Sequence, residues 1–149
     1  MSALILPYSI RFREDSRLES FPAAEVFVLG AGGKGIRAVF HIDSGATTSI
    51  APSSDASVLG IDLAAGSRIV IRGVGDERFE GYRHNLRLKI GEGVVIKAPV
   101  VLVEHQGIPR ILGREGIFPQ FGILFDESKH RTAFLRSSTG RRKIDAFCG

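Results

Sequence analysis

The run Phe-His-Ile-Asp-Ser-Gly-Ala-Thr-Thr-Ser-Ile at positions 40–50 constrains this chain more than any other stretch. Apolar β-forming residues lead straight into a carboxylate, and a glycine follows two positions later, so a strand must give way to a tight turn at Asp43. An acid therefore stands at a strand tip. Residues two apart in a strand face the same way, so His41 shares the face of Asp43 and points with it towards any cleft that opens there.

Elsewhere short Val, Ile, Leu and Phe runs are interrupted by 18 Gly and 6 Pro among 149 residues, the pattern of one all-β domain with frequent turns and a real core. Residues 25–29 and 36–42 read as strands joined by Gly30-Ala-Gly-Gly-Lys-Gly35. That loop satisfies G-x-G-x-x-G, yet the fingerprint demands a helix next. Alternating apolar residues follow instead and reach Asp43 within eight residues of Gly35, so a nucleotide-binding βαβ unit does not fit. A P-loop fails too, because Gly35 rather than Ser or Thr follows Lys34.

Residues 53–59 carry one helical turn that Gly60 ends. Residues 68–72 and 78–82 flank Gly73-Val-Gly-Asp76, a hairpin with a Gly-rich tip. Residues 84–90 alternate, with Leu86, Leu88 and Ile90 facing in and Arg87 and Lys89 out. Residues 94–103 are almost continuously apolar, which suits a strand covered on both faces, with Pro99 at a bulge or break. A buried strand then runs to Gly113, where backbone passes close to backbone, and a short helical segment follows. Residues 121–126 and 132–135 form a closing hairpin, with Ile123, Phe125, Phe134 and Leu135 completing the core.

The second motif is Ile111-Leu112-Gly113-Arg114. Asp-Ser-Gly-Ala after a hydrophobic strand, then a Gly-rich hairpin, then Ile-Leu-Gly-Arg resembles the retropepsin-like (retroviral-type) aspartic proteases, as a bacterial-type single-lobe member. The resemblance runs from residue 22 to about residue 135. It implies an all-β fold: a closed β-barrel-like acid-protease lobe with one short helix, active as a two-fold homodimer. Residues 1–21 would be an N-terminal arm or edge strand, 22–136 the protease domain and 137–149 a basic C-terminal tail.

For the site, the resemblance implies Asp43, Ser44 and Gly45 as the catalytic triplet. His41, Ala46, Gly73, Val74 and Gly75 would bind a polypeptide substrate, the last three as a flap, and Ile111, Leu112, Gly113 and Arg114 would be the structural second motif. No cofactor and no metal are implied. Carboxylate-driven peptide hydrolysis needs two acids about 3 Å apart sharing one proton. The chain has one Asp-Ser-Gly, so the second Asp43 must come from another copy across a two-fold axis.

Two departures from the family pattern bear on the site. His41 replaces an apolar residue. Thr47 stands where retroviral members carry an acid that pairs with the arginine of the second motif, so Arg114 would turn to Glu115 of the partner subunit or to Asp126. The alternative function is a non-catalytic dimeric β-module that keeps the groove and binds a partner peptide by strand addition, with Asp43 in a purely structural Asx turn.

The net charge of +4 is concentrated at one end. Residues 128–149 carry six Lys or Arg against Asp145 alone, whereas the rest of the chain holds 14 basic and 15 acidic residues. The basic tail reads as a solvated end rather than a nucleic-acid site. Glu14, Asp15, Asp55, Asp62, Glu92 and Glu104 read as surface charges, and His84, His105 and His130 have no metal-ligand spacing. A lone Cys148 forms no internal disulfide, residues 1–8 lack the basic flank of a signal peptide, and no stretch spans a membrane, so the expected compartment is the cytoplasm.

Overall fold

A computed structural model of the protein describes residues 3–136 and 138–148. The chain begins with β1 (Ala3–Pro7), β2 (Ser9–Phe12) and β3 (Leu18–Phe21). The hairpin of β4 (Ala23–Leu29) and β5 (Gly35–Ile42) turns through the Gly-rich loop, which is therefore a strand connection and not a phosphate cradle. Next come β6 (Ser49–Pro52) and α1 (Asp55–Leu59), the one short helix expected within the lobe. The long hairpin of β7 (Ser67–Arg72) and β8 (Arg78–Ile90) leads into β9 (Val94–Val103) and β10 (Ile111–Leu112). The chain ends with β11 (Gly122–Asp126), β12 (Arg131–Leu135) and α2 (Ser138–Cys148).

Seven strands form one sheet in the order β4-β5-β10-β6-β9-β8-β7, and β4 also pairs with β8, so the run of pairings returns to the strand where it began. The inward residues of this sheet meet in one core. Val26, Phe40, Leu88, Ile90, Leu102 and Leu112 are completely or almost completely buried there, together with Ile117 and Phe134. Leu86, Leu88 and Ile90 alternate inward along β8, and β9 is buried without interruption from Ala98 to Val103. Burying these aliphatic and aromatic side chains is the main stabilisation of such a fold.

A second sheet, β1-β12-β11, closes one end of the core, so β1 is an edge strand of its own chain. β2 and β3 form a separate hairpin.

Three expectations are corrected. Pro99 lies in an unbroken β9, opposite Asn85 of β8. β6 joins the other edge of β9 only from Val100 onwards, so the missing N–H costs no ladder bond on that side. Phe125 is 37% exposed on the outer face of β11, and of Ile123, Phe125, Phe134 and Leu135 only Phe134 is fully buried. The basic tail is helical from Ser138 to Cys148; Ile144 packs on Gly122, while Arg141, Arg142 and Lys143 are exposed.

Candidate active site

β5 delivers Asp43 to an end held on both edges. His41 pairs with Ala23 of β4 and Ile111 of β10, and its N–H donates to Arg110 O at 2.9 Å. The N–H of Asp43 donates to Leu112 O at 3.0 Å. The turn then closes on the acid. Gly45 N–H donates to Asp43 Oδ1 at 2.8 Å, and Ala46 N–H reaches the Asp43 carbonyl at 3.3 Å. A carboxylate oxygen held by a backbone N–H has a fixed direction.

The second motif locks onto the segment after the acid. Arg114 N–H donates to Ala46 O and Glu115 N–H to Thr47 O, both at 2.9 Å. Gly113 N–H donates to Oγ of the fully buried Ser49 at 2.9 Å. A Cβ on Gly113 would stand 2.6 Å from the Thr48 backbone, which is why this position takes no side chain.

Asp43 opens onto a cleft of about 910 Å³. Gly45, Ala46, Thr47 and Ile111 share its floor with Asp43; Ile69, Ile71, Gly73 and Val74 of the β7–β8 hairpin cover it, and Ile108 and Pro109 form a wall. Among the described residues lining this cleft, Asp43 is the single carboxylate. The hairpin tip is a 3-10 turn, Val74–Asp76, with Gly75 and Asp76 in the left-handed region at φ 77° and 66°. Val74 is 97% exposed.

Of the residues singled out in the sequence, Asp43, Gly45, Ala46, Gly73, Val74 and Ile111 line the cleft, while Leu112, Gly113 and Arg114 brace it from beneath. Ser44 is exposed beside Asp43, and Gly75 sits at the tip beyond the lining.

His41 does not line the cleft. Its ring stacks on Phe21 with centroids 4.2 Å apart, and its Nε2 lies 3.5 Å from Arg11 Nη1, so the N-terminal hairpin has taken it up. Burial, and next the Arg11 guanidinium, push its pKa below the usual histidine value, with Asp43 acting the other way.

Within its own chain Arg114 finds a different partner from Asp126. Arg114 Nη2 donates to Oγ1 of Thr47 at 3.2 Å, so the threonine itself replaces the acid as acceptor. Glu115 is held by both terminal guanidinium nitrogens of Arg83, and Asp126 accepts from Arg131 and Ser128. The hydrogen bond from Arg83 holds the Glu115 pKa below the usual carboxylate value. Asp55 is not a surface charge: it is buried and paired with Arg110.

Sequence reasoning missed the wall Ile108–Pro109 and the acceptor role of Ser49. The alternation of Ile69 and Ile71 along the hairpin was the available signal for its apolar cleft-facing side. The other histidines are scattered: His84 contacts Leu63 O, His105 meets the Phe79 ring and His130 stacks on Tyr8. Among the described residues no group of three or more His, Cys, Asp or Glu could hold a metal ion, and no helix is long and apolar enough to cross a membrane.

This fold, with an acid-bearing turn fixed on a Gly-Arg motif beneath a hairpin, is that of the retropepsin-like aspartic proteases. The model of the aspartyl protease family matches residues 29–115, and the chain belongs to that family. Among solved structures, a retropepsin-like aspartic protease from Rickettsia conorii is similar at 16% identity with a TM-score of 0.56, over 89% of this chain and 98% of that one. The retroviral protease-like domain of Ddi1 from Leishmania major is similar at 20% identity with a TM-score of 0.51, over 74% of this chain and 85% of that one. At these identities the likeness concerns the fold. No curated protein matches the chain.

Proposed function

We propose that the protein is an aspartic endopeptidase that hydrolyses extended peptide segments, its catalytic dyad formed by Asp43 from each of two subunits. The observation that carries this reading is the single carboxylate in the cleft, on a turn that already aims it, where the chemistry needs two. The unit is the lobe of residues 22–136, whose strand pairings close on themselves in the manner of a barrel.

In the dimer, like charges at close range keep one proton shared by the pair. The ionised member takes a proton from a water held between the two acids. The protonated member donates to the carbonyl oxygen of the scissile bond, and no covalent intermediate forms. Gly45 N–H fixes the carboxylate plane, with the exposed Ser44 hydroxyl beside it. Backbone groups of Gly73, Val74 and Gly75 close over an extended substrate and exclude water.

Cleavage of an unstructured protein across pH 3 to 8, at rising enzyme concentration and with Asp43→Asn alongside, tests the reading. Activity that rises faster than linearly with concentration and falls by about 10³-fold or more in Asp43→Asn is expected. Equal behaviour of the two proteins, or no cleavage by a dimer, would replace the enzyme with a peptide-binding β-module.

A further inference from the structure

The cleft wall Ile108–Pro109 belongs to a segment, residues 104–110, that is exposed from Glu104 to Gly107 and hangs between two anchors. At its start Glu104 N–H donates to Glu80 O at 2.9 Å, and the His105 ring meets Phe79 edge-on with centroids 5.2 Å apart. At its end stands Arg110. Its Nε and Nη2 donate to the two oxygens of Asp55 at 2.9 and 2.6 Å, and the Asp55 side chain is only 8% exposed.

Asp55 opens α1, which is itself fixed: Ala56 and Leu59 are in the core, and Leu59 O accepts from Ala31 N–H at 2.8 Å. The far anchor is thus a two-toothed ion pair rooted in the body of the lobe. A planar fork onto a carboxylate fixes direction as well as distance. Removing it leaves Ile108 and Pro109 held only by the Glu104 and His105 contacts at the start of the segment and, at its end, by the backbone bond from His41 N–H to Arg110 O.

We infer that Asp55 and Arg110 are positioning residues for substrate selection: their pair holds the wall Ile108–Pro109 at the distance from Asp43 that admits and discriminates apolar substrate side chains. This rests on the protease reading above. It assigns the pair no part in proton transfer, and it predicts that KM and selectivity move while kcat does not.

The test uses two fluorogenic peptides that differ only in carrying Leu or Ala on both sides of the cleaved bond, at enzyme concentrations where the rate per subunit is constant. The variant is Asp55→Leu/Arg110→Met, which removes the pair without stranding a buried charge. The native enzyme is expected to favour the Leu peptide by about tenfold or more in kcat/KM. In the variant that preference shrinks by about threefold or more through a higher KM, with kcat within about twofold.

If the variant does not fold, Arg110→Lys, which keeps the charge but loses the fork, gives the same readings at smaller size. Unchanged KM and preference in a folded variant overturn the inference, as does a fall in kcat alone, which would mean that the pair acts on the Asp43 strand. If the native chain cleaves neither peptide, or Asp43→Asn cleaves both equally well, the protease reading itself fails and the inference goes with it.

Discussion

The floor and the roof of the cleft are both built from strands, but they are held in different ways. On the floor, Asp43 is tied by backbone hydrogen bonds to a segment about 70 residues away, and the supporting Ser49 and Leu112 are fully buried. On the roof, β7 is the last strand of its sheet, pairs among the described residues with β8 alone, and ends in a tip with Val74 almost wholly in solvent. The direction of the acid is therefore set by the fold, whereas the β7–β8 tip has few contacts to break.

Substitutions at matched glycines sharpen this contrast. Gly113→Ala drives a Cβ against the Thr48 backbone and is expected to cost about 3 kcal/mol, with activity falling in step, as read by denaturant unfolding. Ser49→Ala leaves the buried Gly113 N–H without its acceptor and should cost about 2 kcal/mol on the same measurement. On the roof, Gly75→Ala meets nothing within 4 Å and only the left-handed backbone resists it. It should cost about 1 kcal/mol and change KM more than the unfolding midpoint. A Gly75 effect as large as that of Gly113 would break the comparison.

The smallest effect concerns pH. The Arg83 pair lowers the Glu115 pKa from its usual 4.5, so its stabilisation is present above that value and is lost as pH falls through the lowered one. Both partners are more than a third exposed, which limits the contribution to under about 1 kcal/mol. Glu115→Gln should therefore be slightly less stable at neutral pH and lose less on acidification below pH 4.5, by thermal unfolding across pH 3 to 7. A variant whose acid sensitivity equals that of the native chain contradicts this.

What the sequence made legible was local. The strand running into Asp43, the hairpin around Gly73–Asp76 and the inward alternation of Leu86, Leu88 and Ile90 each follow from spacing over a few residues. Gly113 was legible for a different reason, since a glycine ending an apolar strand implies backbone against backbone. Illegible were choices of partner made by topology. Asp55 meets Arg110 across 55 positions, and nothing near either residue signals the other. His41 faces as strand periodicity requires, but a hairpin supplied by residues 9–21 reaches its ring first. Thr47 took the place of an acid on Arg114 because a hydroxyl suffices as acceptor when the guanidinium is brought to it. The helix α2 was hidden by Ser-Ser-Thr-Gly at 137–140, which reads as coil, and by its reliance on Ile144 packing over Gly122.

The central claim, one dyad shared by two subunits, is tested most directly by mixing. Native chain and Asp43→Asn are combined at fixed total concentration, allowed to exchange subunits, and assayed on one peptide. If both acids are needed and the two chains pair freely, activity follows the square of the native fraction, so an equal mixture keeps roughly a quarter of it. Activity that falls in simple proportion to the native fraction would mean that each chain works alone, and would contradict the account.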